Sequence, residues 1–241
     1  MNTGIKCWIC GDPATTGEHK TKHSDLRAVL GTPSQARPFF YHDDKVRNRP
    51  IGSFRGDSLK SLARLCARCN NERTQPYDRA WEQLSDWLRS RTPPTAAGDV
   101  VRADRVYDLN ATREMRNVHL YFTKLMGCHL VEAGLSFDQP ALANSILSGK
   151  PNPYVHLKFG VSQTGLLVGM TNRKADRLPD GSLTFAAWAY SLNHLVVHVM
   201  YALAGGASRG SEGRLASPSG QPFHPGRFPL TRATAPPKRD A

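Results

Sequence analysis

From Pro76 the chain reads PYDRAWEQLSDWLRSR, in which Trp81, Leu84, Trp87 and Leu88 recur at helical spacing behind a proline suited to a first helical turn. The pattern predicts an amphipathic helix over roughly 76–91, docked on a core. Residues 92–99 (TPPTAAGD) cannot propagate it and read as a linker or domain boundary. A second helix is expected at roughly 111–134, where Val118, Phe122, Met126 and Leu130 step by four and Gly134 supplies a stop. Beyond residue 150 the apolar runs shorten (YVHLKFGV, TGLLVGMT) between Gly, Pro, Asn and Asp clusters, which predicts a small antiparallel meander packed on that helix. The uncharged stretch 183–204 is long enough for a membrane span. Ser191, Asn193, His194 and His198, with period-two alternation around an SLNH turn, favour strands and no membrane. Residues 1–75 differ: turn formers abound, apolar runs are few, and such a segment needs a staple.

Composition sharpens this picture. At 241 residues with 39% hydrophobic positions the chain can bury a real core. Its 32 basic against 20 acidic residues give +12 and suit a polyanionic partner or an anionic surface. The excess lies at the two ends: 16 − 10 = +6 over 1–95 and 6 − 2 = +4 over 203–241, against 10 − 8 = +2 between. The segment 205–241, rich in Gly, Ser, Pro and Arg, reads as a disordered basic tail. The start, MNTGIKCWICG, lacks an apolar signal core, so a soluble, cytoplasmic protein is expected. The five cysteines then point to metal or thiol chemistry before disulfides.

Four of them form two knuckles, Cys7-Trp8-Ile9-Cys10 and Cys66-Ala67-Arg68-Cys69. Four soft thiolates in a tetrahedron suit zinc, and a site closed by four protein ligands leaves no position for water or substrate, so this zinc would be structural. A redox pair and an iron–sulfur cluster are the rival readings. Cys128, without a second cysteine nearby, reads as a buried thiol.

Gly17-Glu18-His19-Lys20 lies between the knuckles and Asn70-Asn71-Glu72-Arg73 directly follows the second. Together CWICG, EH and LCARCNNER resemble the zinc-stapled branch of the HNH endonucleases over roughly residues 5–75. The resemblance implies a treble-clef/ββα-metal module, 1–92 with its following helix; the patterns read above add a linker (93–99), an α+β domain of unknown role (100–204) and the tail (205–241), an α+β chain as a whole. It implies an HNH-type metal-dependent endonuclease, a hydrolase of phosphodiester bonds, acting on nucleic acid, DNA rather than RNA. Glu18 and Asn70 would bind the catalytic Mg²⁺ or Mn²⁺, His19 would be the general base, and Arg73, Lys20 and Lys22 would meet phosphate. Such hydrolysis needs an in-line water, a base near neutral pKa and a hard cation. Neighbouring strand residues point to opposite faces, so Glu18 and His19 fit that arrangement only on a twisted or bulged strand.

The chain departs from the family pattern in three places. Ser61-Leu62 stands where an Asn-Leu pair normally precedes the second knuckle, leaving Ser61 or Asn48 as substitutes for the middle Asn. Glu18 replaces the commoner Asp. The long insert between His19 and Cys66 carries Tyr41-His42-Asp43-Asp44, readable as a solvated turn or as alternative ligands. A catalytically inactive zinc treble clef that keeps phosphate affinity is therefore the alternative, and a third reading places another site among His119, His129, His156, His194 and His198. A single-site nuclease making double-strand breaks often works as a homodimer.

Overall fold

The computed structural model describes residues 4–43, 46–162, 167–203, 227–229 and 231–232. It is a mixed α+β structure. Strand β1 (Thr16–His19) leads into helix α1 (His23–Leu30), then a small hairpin of β2 (Phe39–Tyr41) and β3 (Arg49–Ile51), and β4 (Lys60–Leu65), which returns antiparallel to β1. A wide helical turn over Arg68–Arg73 carries the second knuckle into α2 (Gln75–Ser90). Next come β5 (Val100–Arg102), the short α3 (Asp104–Tyr107), α4 (Ala111–Glu132) and α5 (Gln139–Ser148). Strands β6 (Val155–Val161), β7 (Leu167–Arg177), β8 (Leu183–Asn193) and β9 (Leu195–Ala202) form one sheet in the order β6-β9-β8-β7, all antiparallel.

Both expected helices form with their expected faces inward. Trp81, Leu84 and Leu88 are buried on α2, and Val118, Phe122, Met126 and Leu130 are all buried on α4. Trp87 is half-buried, with Arg91 over its ring at 4.8 Å. The uncharged stretch after Leu183 is a β-hairpin whose tight turn places Asn193 at φ 57°. Among the described residues no helix is long and apolar enough to cross a membrane.

Three expectations change. Helices α1 and α5 go unforeseen, although Asp138 capping Ala141, Pro140 in the first turn and left-handed Gly149 are ordinary end signals for α5. Within the supposed disordered tail, β10 (Arg227–Pro229) pairs antiparallel with β5 and β11 (Thr231–Arg232) pairs parallel with β6; the rest of 205–241 lies outside the described residues. Residues 92–99 do leave the helical path, yet they separate no cores. One apolar cluster runs from Trp8 and Leu65 through Trp81 and Phe122 to Trp188 and Tyr201. The ring of Trp81 stacks on Tyr121 at 5.8 Å and meets Phe122 and Tyr190 edge-on at 4.8 and 5.6 Å. Each half supplies faces the other needs, because α2 and β4 cover α4 and α4 in turn lies on the large sheet.

A buried acid ties these layers together. Asp25 of α1 is fully buried and accepts from Trp81 Nε1 (2.7 Å), Ser85 Oγ (3.0 Å), Arg89 Nη1 (2.9 Å) and Tyr190 Oη (2.8 Å). Four donors satisfy the carboxylate and fix α1 against both α2 and β8.

Candidate metal centre and histidine site

The two knuckles meet. The sulfurs of Cys7, Cys10, Cys66 and Cys69 all lie within 4.8 Å of one another, and Cys10 and Cys66 approach to 3.5 Å. Zinc–sulfur bonds of about 2.3 Å require sulfur–sulfur edges of about 3.8 Å, so small side-chain rotations would close a tetrahedron here. Cys69 N–H donates to Cys66 Sγ at 3.3 Å, and Arg73 Nη1 donates to Cys69 Sγ at 3.1 Å. Such donors offset thiolate charge around a bound metal. The donor set can bind a metal such as zinc, and it is the sole metal-ligating group of His, Cys, Asp or Glu among the described residues. The five later histidines form no such cluster. His119 is buried on α4 with its ring against Val155 O at 2.9 Å, and His156 and His198 sit on β6 and β9.

The first knuckle also docks the module. Trp8 Nε1 donates to Cys128 Sγ at 3.3 Å, which identifies Cys128 as a buried thiol serving packing, and the Trp8 carbonyl accepts from Gln139 Nε2 at 3.0 Å.

Strand β1 is irregular where it matters: its register against β4 shifts between Gly17 and His19. The bulge sends Glu18 into the interior and leaves His19 half-buried toward the insert. There the His19 ring Nε2 lies 3.0 Å from Phe54 O. A carbonyl only accepts, so Nε2 carries the hydrogen and Nδ1 keeps its lone pair. Burial lowers the pKa of His19, Lys60 and His23 lower it further, and the Phe54 hydrogen bond opposes them. The ring is therefore a neutral base near pH 7. His23 lies 6.2 Å away, ring to ring; burial, then exposed Arg27 and Arg55, lower its pKa. Lys60 thus bears on His19, and the exposed Arg27 and Arg55 on His23 beside it.

Glu18 meets a different partner. Its Oε2 lies 3.1 Å from Lys124 Nζ, and that ammonium, fully buried on α4, also bonds Asp78 Oδ2 (3.1 Å), Asp78 Oδ1 (3.3 Å) and Thr74 Oγ1 (3.3 Å). Burial works against the charge of Lys124, but Glu18 and Asp78 outweigh it and raise its pKa, so it stays cationic. Burial raises Glu18, with Lys124 opposing. Thr74 Oγ1 donates to the Asn70 carbonyl at 3.1 Å, and the buried Asn70 Oδ1 has no hydrogen-bond partner among the described residues.

The remaining expected residues turn inward or away. Ser61 is buried, its Oγ directed at Glu132 Oε2 (3.0 Å) and Cys128 O (3.4 Å) on α4 rather than at the insert. Asn48, at φ 56°, sits in the β2–β3 connection with its N–H on His42 Nδ1. Asp43 caps Val46 N at 2.7 Å in an exposed turn; Asp44 lies outside the described residues. The three expected phosphate contacts are each engaged within the chain: Arg73 on Cys69, Lys20 on Glu132 (2.8 Å), and Lys22 on Asp78 (3.6 Å) and Glu82 (3.8 Å). Lys124 escaped the sequence reading, yet the signal was there: a lysine at the inner face of α4, three and four residues from Tyr121 and Cys128. Comparison with protein-family models, curated proteins and solved structures finds no match to this chain.

Proposed function

We propose that this chain is an HNH-type metal-dependent endonuclease with a structural zinc on Cys7, Cys10, Cys66 and Cys69, acting on nucleic acid and on DNA in preference to RNA. The observation that carries the reading is His19 at the irregular end of β1, half-buried and held through Nε2 on Phe54 O so that Nδ1 keeps its lone pair. In this reading Nδ1 takes the proton of a water attacking phosphorus in line. Exposed Arg27 and Arg55 supply positive charge beside His23 that would draw a phosphodiester toward that imidazole, replacing Arg73, Lys20 and Lys22 in this role. Glu18 and Asn70 offer a carboxylate and an amide oxygen, donors suited to Mg²⁺ or Mn²⁺, which when bound stabilises charge on the phosphate and leaving oxygen. The formal +12 of the chain agrees with a polyanionic substrate.

A second reading, a zinc treble clef that binds nucleic acid without cutting it, is favoured by one observation, the Lys124 ammonium on Glu18. The experiment that separates them is cleavage of supercoiled plasmid by zinc-loaded wild type and His19→Ala, with Mg²⁺, Mn²⁺ or no added ion. Metal-dependent nicking by wild type alone is expected. Equal cutting by His19→Ala would refute the base assignment, and inactive wild type with salt-sensitive binding would favour the second reading.

A further inference from the structure

Lys124 is an expensive residue to place where it stands. Its neighbours Leu120, Tyr121, Phe122, Leu125 and Cys128 are all buried, and an apolar side chain would fill that face of α4 without desolvating a charge. What surrounds the ammonium is instead a shell of oxygens from three residues: Glu18 of β1, Thr74 before α2, and Asp78 within α2. Two carboxylates and a hydroxyl are oxygen donors of the kind a hard cation takes, and Thr74 Oγ1 in turn donates to the main-chain carbonyl of Asn70. The ammonium lies 3.1 Å from a carboxylate oxygen of each acid, between Glu18 and Asp78, where a cation shared by the two would sit.

We propose that Lys124 is a tethered cation occupying the divalent-ion position of Glu18, so that a metal binds there only when the lysine leaves. The proposal rests on reading Glu18 as a metal ligand. The fold described here is then the latched form of the site, and α4, from the second half of the chain, carries the latch. Leaving is opposed by the loss of three polar partners and by the packing of α4 on α2 and β4. Release therefore needs either a competing ion at high concentration or a ligand that moves α4 relative to the β1–β4 hairpin.

The test is Mn²⁺ binding to zinc-loaded full-length protein, read calorimetrically and by the loss of the free-ion paramagnetic signal. Lys124→Met, which keeps the stem and removes the charge, is expected to bind one Mn²⁺ at least about tenfold more tightly than wild type, since the mutation deletes a competitor with at least one charge-assisted bond. Glu18→Gln added to Lys124→Met should abolish the gain. Equal Mn²⁺ affinity in wild type and Lys124→Met overturns the latch, as does a gain that survives Glu18→Gln. If Lys124→Met does not fold alone, Mn²⁺ added during refolding should rescue it, and failure of rescue also overturns the proposal. Plasmid cleavage is scored separately: uniform inactivity would count against the nuclease reading while the Mn²⁺ comparison still decides the latch.

Discussion

Gly127 sits on α4 beneath the indole of Trp8, and a methyl group there would fall 2.2 Å from Cη2, 2.4 Å from Cζ2 and 2.8 Å from Cζ3. Carbon atoms settle at about 3.5–4.0 Å, so Gly127→Ala forces the ring back by more than about 1 Å. That movement strips the Trp8 Nε1 hydrogen bond from Cys128 and unseats the first knuckle from the core. In an unobstructed helix the substitution would stabilise by about 1 kcal/mol. Here overpacking costs about 1–3 kcal/mol, and the lost bond, with a buried indole N–H left unmade, adds about 1–3 kcal/mol. The net loss is about 1–5 kcal/mol. At about 2–4 °C per kcal/mol for a chain of this size, Tm should fall by several degrees. The assay is scanning calorimetry of zinc-loaded protein, repeated on a Trp8→Leu background where the obstructing ring is gone. There Gly127→Ala should cost nothing or stabilise. A Tm that rises for Gly127→Ala alone, as for an ordinary helical glycine, would refute the docking argument.

Other perturbations address the remaining supports. If a zinc on the four cysteines staples this segment poor in apolar runs, Cys66→Ser should lose the metal and destabilise the protein by several kcal/mol; metal analysis with a melting curve checks it, and an unchanged curve refutes it. Asp25→Asn leaves four donors facing an amide and takes from Arg89 its buried counter-charge, with Asp86 its remaining carboxylate, so urea denaturation should register a loss of about 3 kcal/mol or more. Burial lowers the pKa of His119 from 6.5 to about 4, against the Val155 hydrogen bond, so the folded state holds it neutral while the unfolded chain protonates near 6.5. Its stabilising contribution is complete above pH 6.5 and drains away as pH falls toward 4, by about 3 kcal/mol at 1.36 kcal/mol per pH unit. His119→Gln, which keeps a donor for Val155, should flatten that slope, and an unaltered slope would implicate other groups.

The legible parts of the fold were those written in periodicity. Helical spacing located α2 and α4, and the SLNH turn located the β8–β9 hairpin, because in each a single local pattern decides which face is buried. The knuckles were legible for a related reason: a thiolate pair at fixed spacing carries its geometry with it. What escaped reading depends on contacts distant in sequence. Arg73 looked free to meet phosphate, but the sulfur it turns to becomes a neighbour only when the second knuckle folds. Lys20 and Lys22 met carboxylates on α4 and α2 that no local window contains. Glu18 could be paired with His19 by adjacency in sequence, whereas its actual partner lies more than a hundred residues later. An irregular β1 was a stated condition of the resemblance; its register against β4 does shift there, with Glu18 turned to Lys124 and His19 to Phe54.

The continuous core also bears on how this hairpin can be inherited. A freestanding metal-stapled cassette moves between genes because it carries its own interior. Here Trp8 and Leu65 share an interior with strands from the far half, and Gly127 is the seat of the knuckle tryptophan. Cutting the gene at 92–99 would strand both pieces with open apolar faces, so this catalytic candidate is not a portable part. Insertion and deletion should instead accumulate in the 32–56 excursion, which rests on its own small cluster of Leu26, Ile51 and Phe54. That excursion presents the carbonyl that orients His19, so changes of its length would retune the histidine while leaving the shared interior untouched.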